Sequence, residues 1–187
     1  RGTNPGRTYR FYTGKPVVPF GFGLSYSTFT YSVVGKPSSI SLDPLQTLLE
    51  EANGAGQDFV RSASAEQAMQ TSRWQVQLQY SLNVTNTGKV DADDVVLGFL
   101  TPPGAGQNGV PLKSLFGFER VHVKAGATVT VFLYPSILDF AQAGLDGKLR
   151  AFPGKYKVHF GVAETGSHGM GYVEAGSLWA DWHTYMI

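Results

Sequence analysis

The chain has 187 residues, enough for one domain that buries about 70% of the surface its unfolded form would expose, and nothing in it calls for a second core. Its 15 Lys and Arg against 14 Asp and Glu leave a formal net charge of +1 without basic runs, which excludes the cationic surface that nucleic acid or an anionic membrane needs. There is no cysteine, hence no disulfide framework or thiolate chemistry, and no apolar run nears the roughly 20 residues that span a bilayer.

Arg1 to Gly23 is rich in Gly, Pro and Arg and poor in aliphatic residues. It is expected to be a junction, residues 1–24, lying over another domain's surface, with Arg7, Tyr9, Arg10, Phe11 and Tyr12 as interdomain contacts because guanidinium groups pair with carboxylates and stack on rings. No signal-peptide pattern precedes it, so the chain reads as a piece of something longer. Pro19, Gly21 and Gly23 then break the backbone, and Ser25 to Val34 alternates as a strand. Gly35 to Arg73 changes character and is expected to be a partly helical insertion between the first two strands. Asp43 caps, Pro44 starts, and Leu45, Leu48, Leu49 and Ala52 give apolar spacing of three and four before Asn53-Gly54; Ala63 to Gln70 adds a weaker turn.

Trp74, Val76, Leu78, Tyr80, Leu82 and Val84 alternate with polar residues, the period of a strand with one buried face. Asn83 falls on its wet face within Asn83-Val84-Thr85, a glycosylation acceptor triplet that points to a secreted protein. Asn86-Thr87-Gly88-Lys89 reads as a turn, with Val95 to Leu100 returning as hairpin partner. Leu115 to Val123, Thr128 to Tyr134 and Lys155 to Val162 follow, each bounded by turn residues, and together they describe an all-β sandwich over 25–187.

Several runs carry more than periodicity. Pro5-Gly6-Arg7-Thr8-Tyr9-Arg10-Phe11-Tyr12 and Pro19-Phe20-Gly21-Phe22-Gly23-Leu24-Ser25-Tyr26-Ser27-Thr28-Phe29 are the first two; Val84 to Lys89, Leu115 to Val121 and Pro153 to Tyr156 with Phe160-Gly161 follow in order. Together they resemble the seam and C-terminal fibronectin type III-like domain of a family 3 glycoside hydrolase, nearer its β-xylosidase than its β-glucosidase branch. The resemblance implies an immunoglobulin-like sandwich at the non-catalytic end of a retaining exo-β-glycosidase acting on plant cell-wall oligosaccharides. Its partners would be the catalytic domains of the same enzyme, absent from this chain, and the terminal domain would stabilise them and border the substrate entrance. The insertion at 35–73 and the tail beyond about Glu164 match no motif of the family.

No catalytic, cofactor-binding or metal residue is assigned, and no cofactor is expected. A retaining glycosidase needs two carboxyl groups about 5 to 5.5 Å apart, whereas Asp91, Asp93 and Asp94 read as a solvated turn past the hairpin and Glu50 and Glu51 as helix surface. His122, His159, His168 and His183 lack metal-ligand spacing. In the tail, Trp179, Trp182 and Tyr185 crowd together with His183, and two readings stay open: a protein interface or core, and a platform for polysaccharide. The alternative to a hydrolase's terminal domain is thus a stand-alone carbohydrate-binding or protein-interaction module.

Overall fold

The structure, a computed structural model, describes residues 5–46, 49–50, 78–144, 146–162 and 170–182. A one-turn helix, α1 (Thr8–Phe11), precedes ten strands: β1 (Phe29–Gly35), β2 (Ser39–Ser41), β3 (Tyr80–Asn86), β4 (Ala92–Thr101), β5 (Ser114–Val123), β6 (Thr128–Leu133), β7 (Gln142–Ala143), β8 (Leu149–Arg150), β9 (Gly154–Gly161) and β10 (Tyr172–Asp181). They form a three-stranded sheet, β1-β3-β6, a five-stranded sheet, β2-β10-β9-β4-β5, and a β7-β8 ribbon.

Each long strand buries one face because its apolar residues recur every second position. Tyr80, Leu82 and Val84 of β3 point into the core while Ser81, Asn83 and Thr85 stay half-buried outside. Phe29 and Tyr31 of β1 and Val131 and Leu133 of β6 extend that inner face, with Tyr31 opposite Val84 and Leu82 opposite Val131. Tyr156, Val158 and Phe160 of β9, Val96 and Leu100 of β4 and Leu178 and Ala180 of β10 close the core from the other sheet. Rings meet across the gap: Tyr80 and Phe160 lie 5.5 Å apart.

Two expectations are corrected here. The Asn86 to Lys89 turn is not a hairpin, since β3 pairs with β1 and β6 whereas β4 pairs with β5 and β9 in the opposite sheet. The chain crosses between layers at this corner because two strands with one apolar face each bury both faces by lying opposite one another. The Asn86 side chain, fully buried, accepts from the Ser27 hydroxyl at 2.5 Å and the Gly88 amide at 3.0 Å and donates to the Val90 and Val123 carbonyls at 2.8 and 2.9 Å. Gly88 is needed beside it: a Cβ there would stand 3.0 Å from the Thr28 nitrogen and closer still to Ser27.

The tail, left open between interface or core and a sugar platform, supplies a strand of the sandwich. Its β10 lies inside the five-stranded sheet, antiparallel to β9 and parallel to β2. The second correction is that the stretch read as insertion starts by contributing β2 to that sheet. Residues 43–46 and 49–50 are helical, with Leu42, Leu45 and Leu49 buried. The turn expected at Ala63 to Gln70 and the inward positions Trp74 and Val76 lie outside the described residues.

Candidate functional site

The run Leu97-Gly98-Phe99-Leu100 breaks the alternation of β4, and such an unbroken apolar stretch belongs to a strand covered on both faces. The register shifts between Gly98 and Phe99, and Phe99 pairs with His159, on the side of β9 opposite the inward Val158 and Phe160. Phe99 is nevertheless 1% exposed. Tyr9 and Phe20 cover it: their rings stack at 4.1 Å and meet Phe99 edge-on at 5.9 and 6.2 Å. His159 stacks on Phe99 at 5.0 Å, and the Lys113 ammonium lies 4.9 Å from the centre of the Phe99 ring.

The backbone of the N-terminal segment holds to the same face. Leu112 donates its amide to the Arg10 carbonyl at 2.6 Å, Leu115 to the Tyr9 hydroxyl at 3.1 Å, and Gly23 to the Met170 sulfur at 3.2 Å. Gly21, at φ +84°, presses so near Leu97 that a Cβ would meet its Cδ1 at 2.4 Å. The segment expected to lie only on another domain is therefore a strap on this sandwich. The strap has two sides. Tyr9 turns inward, Arg7, Arg10 and Phe11 are exposed, and Tyr12 is half-buried at the edge of a pocket of about 750 Å³ shared with Pro16, Val18 and Lys113. Arg10 stacks its guanidinium 5.5 Å from the Phe11 ring. Burial pushes His159 down to about 4, with the Lys113 charge adding to the effect and Glu174 opposing it. His159 is thus a neutral ring in a packed layer at physiological pH.

The other candidates are dispersed. Asn83 sits mid-strand on the outer face of the three-stranded sheet, its side-chain oxygen accepting from the Thr130 hydroxyl at 2.8 Å. Trp179 is exposed outside the five-stranded sheet, whereas Trp182, just past the end of β10, packs against the core, so the two rings share no platform. Tyr185, His168 and His183 lie outside the described residues.

The three aspartates do not form a solvated turn. Asp91 accepts from the Ala125 amide at 2.8 Å. Asp93, on the outer face of β4, binds Arg120 at 2.6 Å and His122 at 2.7 Å, hydrogen bonds that hold its carboxyl below the usual range. Asp94, next in the strand, is buried and accepts from the Tyr31 hydroxyl at 2.6 Å; burial raises its pKa. Adjacent strand residues face opposite ways, so the two carboxyls cannot flank one bond. Among the described residues no three His, Asp or Glu are grouped to hold a metal, and no helix is long and apolar enough to cross a membrane. The sequence alone left the outward burial of Phe99 unread and took Asp94 as solvated; the unbroken run around Phe99 was the signal for the first, and nothing local marked the burial of the second.

Two facing layers of mostly antiparallel strands make a β-sandwich, and residues 94–163 match the family model described as a fibronectin type III-like domain. The chain is similar to the C-terminal regions of longer family 3 β-xylosidases and β-glucosidases. It is 37% identical over 163 residues to β-D-xylosidase 1 of Arabidopsis thaliana, covering 86% of this chain and 20% of that protein. It is 35% identical over 162 residues to a probable exo-1,4-β-xylosidase of Aspergillus oryzae, covering 86% and 18%. A solved GH3 exo-β-xylosidase, in complex with a xylobiose aziridine probe, superposes with a TM-score of 0.62 at 25% identity over 95% of this chain and 20% of its own. A β-glucosidase from Listeria innocua shares the fold, with a TM-score of 0.59 at 20% identity over 89% and 18%. The chain spans about a fifth of the length of the curated relatives it matches.

Proposed function

We propose that this chain is the terminal domain of a secreted, retaining exo-β-xylosidase and that its role there is mechanical: it braces the catalytic domains and borders the substrate entrance. The outward side of the strap carries the reading. Phe11, Val17, Val18, Leu24 and Tyr26 are exposed within 16 residues of chain, Val17 and Tyr26 almost completely, an apolar density that free surfaces avoid and interfaces use. The inner side, through Tyr9 and Gly21, fixes that surface rigidly to the sandwich. Similarity to xylosidases over most of the chain supports the sugar class, and the Asn83 triplet supports secretion. The two carboxyl groups of the reaction would come from the rest of the enzyme. The test compares the longer enzyme, this chain alone, and the enzyme carrying Val17→Asp with Val18→Asp on aryl β-xylosides. Turnover by the intact enzyme, none by the chain alone, and a lowered melting temperature in the double variant are expected. Xylosidase activity in the chain alone, lost on replacing Asp93 or Asp94, would overturn the reading.

A further inference from the structure

A second pocket, of about 640 Å³, opens between the β4-β5 loop and the β7-β8 ribbon. Its volume lies in the range of small-ligand sites. Both walls are tight, hydrogen-bonded turns. In the first, Gln107 donates to the Gly104 carbonyl at 3.0 Å, Gly106 to Val110 at 3.0 Å and Val110 to Gln107 at 2.8 Å; in the second, Gly144 donates to Lys148 at 2.8 Å and Gly147 to Gly144 at 3.0 Å.

The lining combines three kinds of group. Pro103, Val110 and the half-exposed ring of Phe152 are apolar; Gln107, Asn108 and Gln142 bring side-chain amides; Asp146 and Arg150 supply charge. The two charges neutralise each other in a two-pronged pair, at 2.7 and 2.5 Å, and among the described residues these are the only ionic side chains in the lining. Gln142 is 4% exposed, and its side-chain oxygen has no hydrogen-bond partner, an uncompensated buried acceptor.

This chemistry selects among ligands. An anion would meet a guanidinium already satisfied by carboxylate, and a wholly apolar molecule would strip water from three amides and an ion pair without replacing its hydrogen bonds. A neutral ring with vicinal hydroxyls on its rim and C–H groups on its faces meets every part: the ring face lies on Phe152, and the hydroxyls exchange hydrogen bonds with the amides and with the outer lone pairs and N–H groups of the Asp146–Arg150 pair. A hydroxyl that entered deepest would also satisfy Gln142 after a turn of its side chain.

We propose that this pocket is a binding site for a neutral saccharide, separate from the strap and from the exposed Trp179. The inference needs only this chain and stands whether or not the hydrolase reading does. The test is a titration of the isotopically labelled 187-residue chain with xylobiose, xylotriose and cellobiose, followed by amide chemical shifts. Saturable shifts confined to 103–110 and 142–152 are expected, with affinity weakened about fivefold or more by Phe152→Ala and by Asp146→Asn with Arg150→Gln, as loss of a stacking face or of the paired groups predicts. Gln107→Ala, on the exposed loop, serves as a variant that keeps the ribbon intact and should weaken binding to a smaller degree. No shift at tens of millimolar sugar, shifts centred elsewhere, or unchanged affinity in folded variants would overturn the proposal.

Discussion

The Ser27 hydroxyl donates to the Asn86 side-chain carbonyl at 2.5 Å and so ties the chain entering β1 to the end of β3, 59 residues later. The same amide holds the Val90 and Val123 carbonyls, so one residue serves three segments at the corner where the chain changes sheets.

Asn86→Ala removes these bonds together and leaves buried carbonyls unpaired; a loss of about 3 to 5 kcal/mol in urea unfolding is expected. Ser27→Ala, which leaves Asn86 bonded to Gly88, Val90 and Val123, should cost about 1 kcal/mol. Equal losses would mean that the Asn86 amide bonds to Val90 and Val123 contribute little.

Leu78 is fully buried just ahead of β3, and Leu78→Ala should destabilise the domain by about 2 to 5 kcal/mol through lost transfer energy and a cavity. Lys157, on the outer side of β9 between buried Tyr156 and Val158, should tolerate Ala within about half a kcal/mol. Thermal or urea denaturation distinguishes the two.

The strap makes a prediction at single amides. Tyr9→Phe deletes the acceptor of the Leu115 amide and keeps the ring on Phe99, so hydrogen exchange should accelerate at Leu115 and stay slow at Leu112, whose acceptor is the Arg10 carbonyl. Tyr9→Ala, which also uncovers Phe99, should accelerate both and cost about 2 to 4 kcal/mol. Fast exchange at Leu112 and Leu115 in the unmodified chain would show the strap detached.

Two half-buried groups oppose each other in pH dependence. Asp139, whose carboxylate takes the Ser136 amide at 2.6 Å beside the 3-10 helix Ile137–Phe140, is pushed up to about 6 by burial. Its folded state holds the proton more tightly than the unfolded chain, so its contribution is complete below about 4 and lost as pH rises through about 6. His159, pushed down to about 4, works in reverse: its contribution is complete above about 6.5 and lost as pH falls toward 4. Between those limits the two slopes oppose one another. Asp139→Asn should make stability rise with pH across this window relative to the parent, and His159→Gln should make it fall; parallel curves for all three proteins would show that neither shift exists.

Alternation of polar and apolar residues is local, so the sequence by itself determined that Leu82 and Val84 face inward while Ser81 and Asn83 face out, and it placed β1, β5, β6 and β9 within a few residues of their ends. The succession of short strands and turn residues, with the motifs from Pro5 to Gly161, was enough to recognise the sandwich. A period of two states which face of a strand is buried, however, and is silent on what buries it. Only the tertiary structure decided that β3 and β4 lie in opposite sheets, because Asn86 draws its partners from Ser27 and Val123, residues remote in sequence. Only it decided that the aromatic tail is an inner strand, because β10 is held by β9 and β2 together. Tyr9 belongs to this domain for the same kind of reason: a shift of register at Gly98 turns Phe99 outward, and an apolar ring facing water stays buried when another segment of the chain comes to cover it.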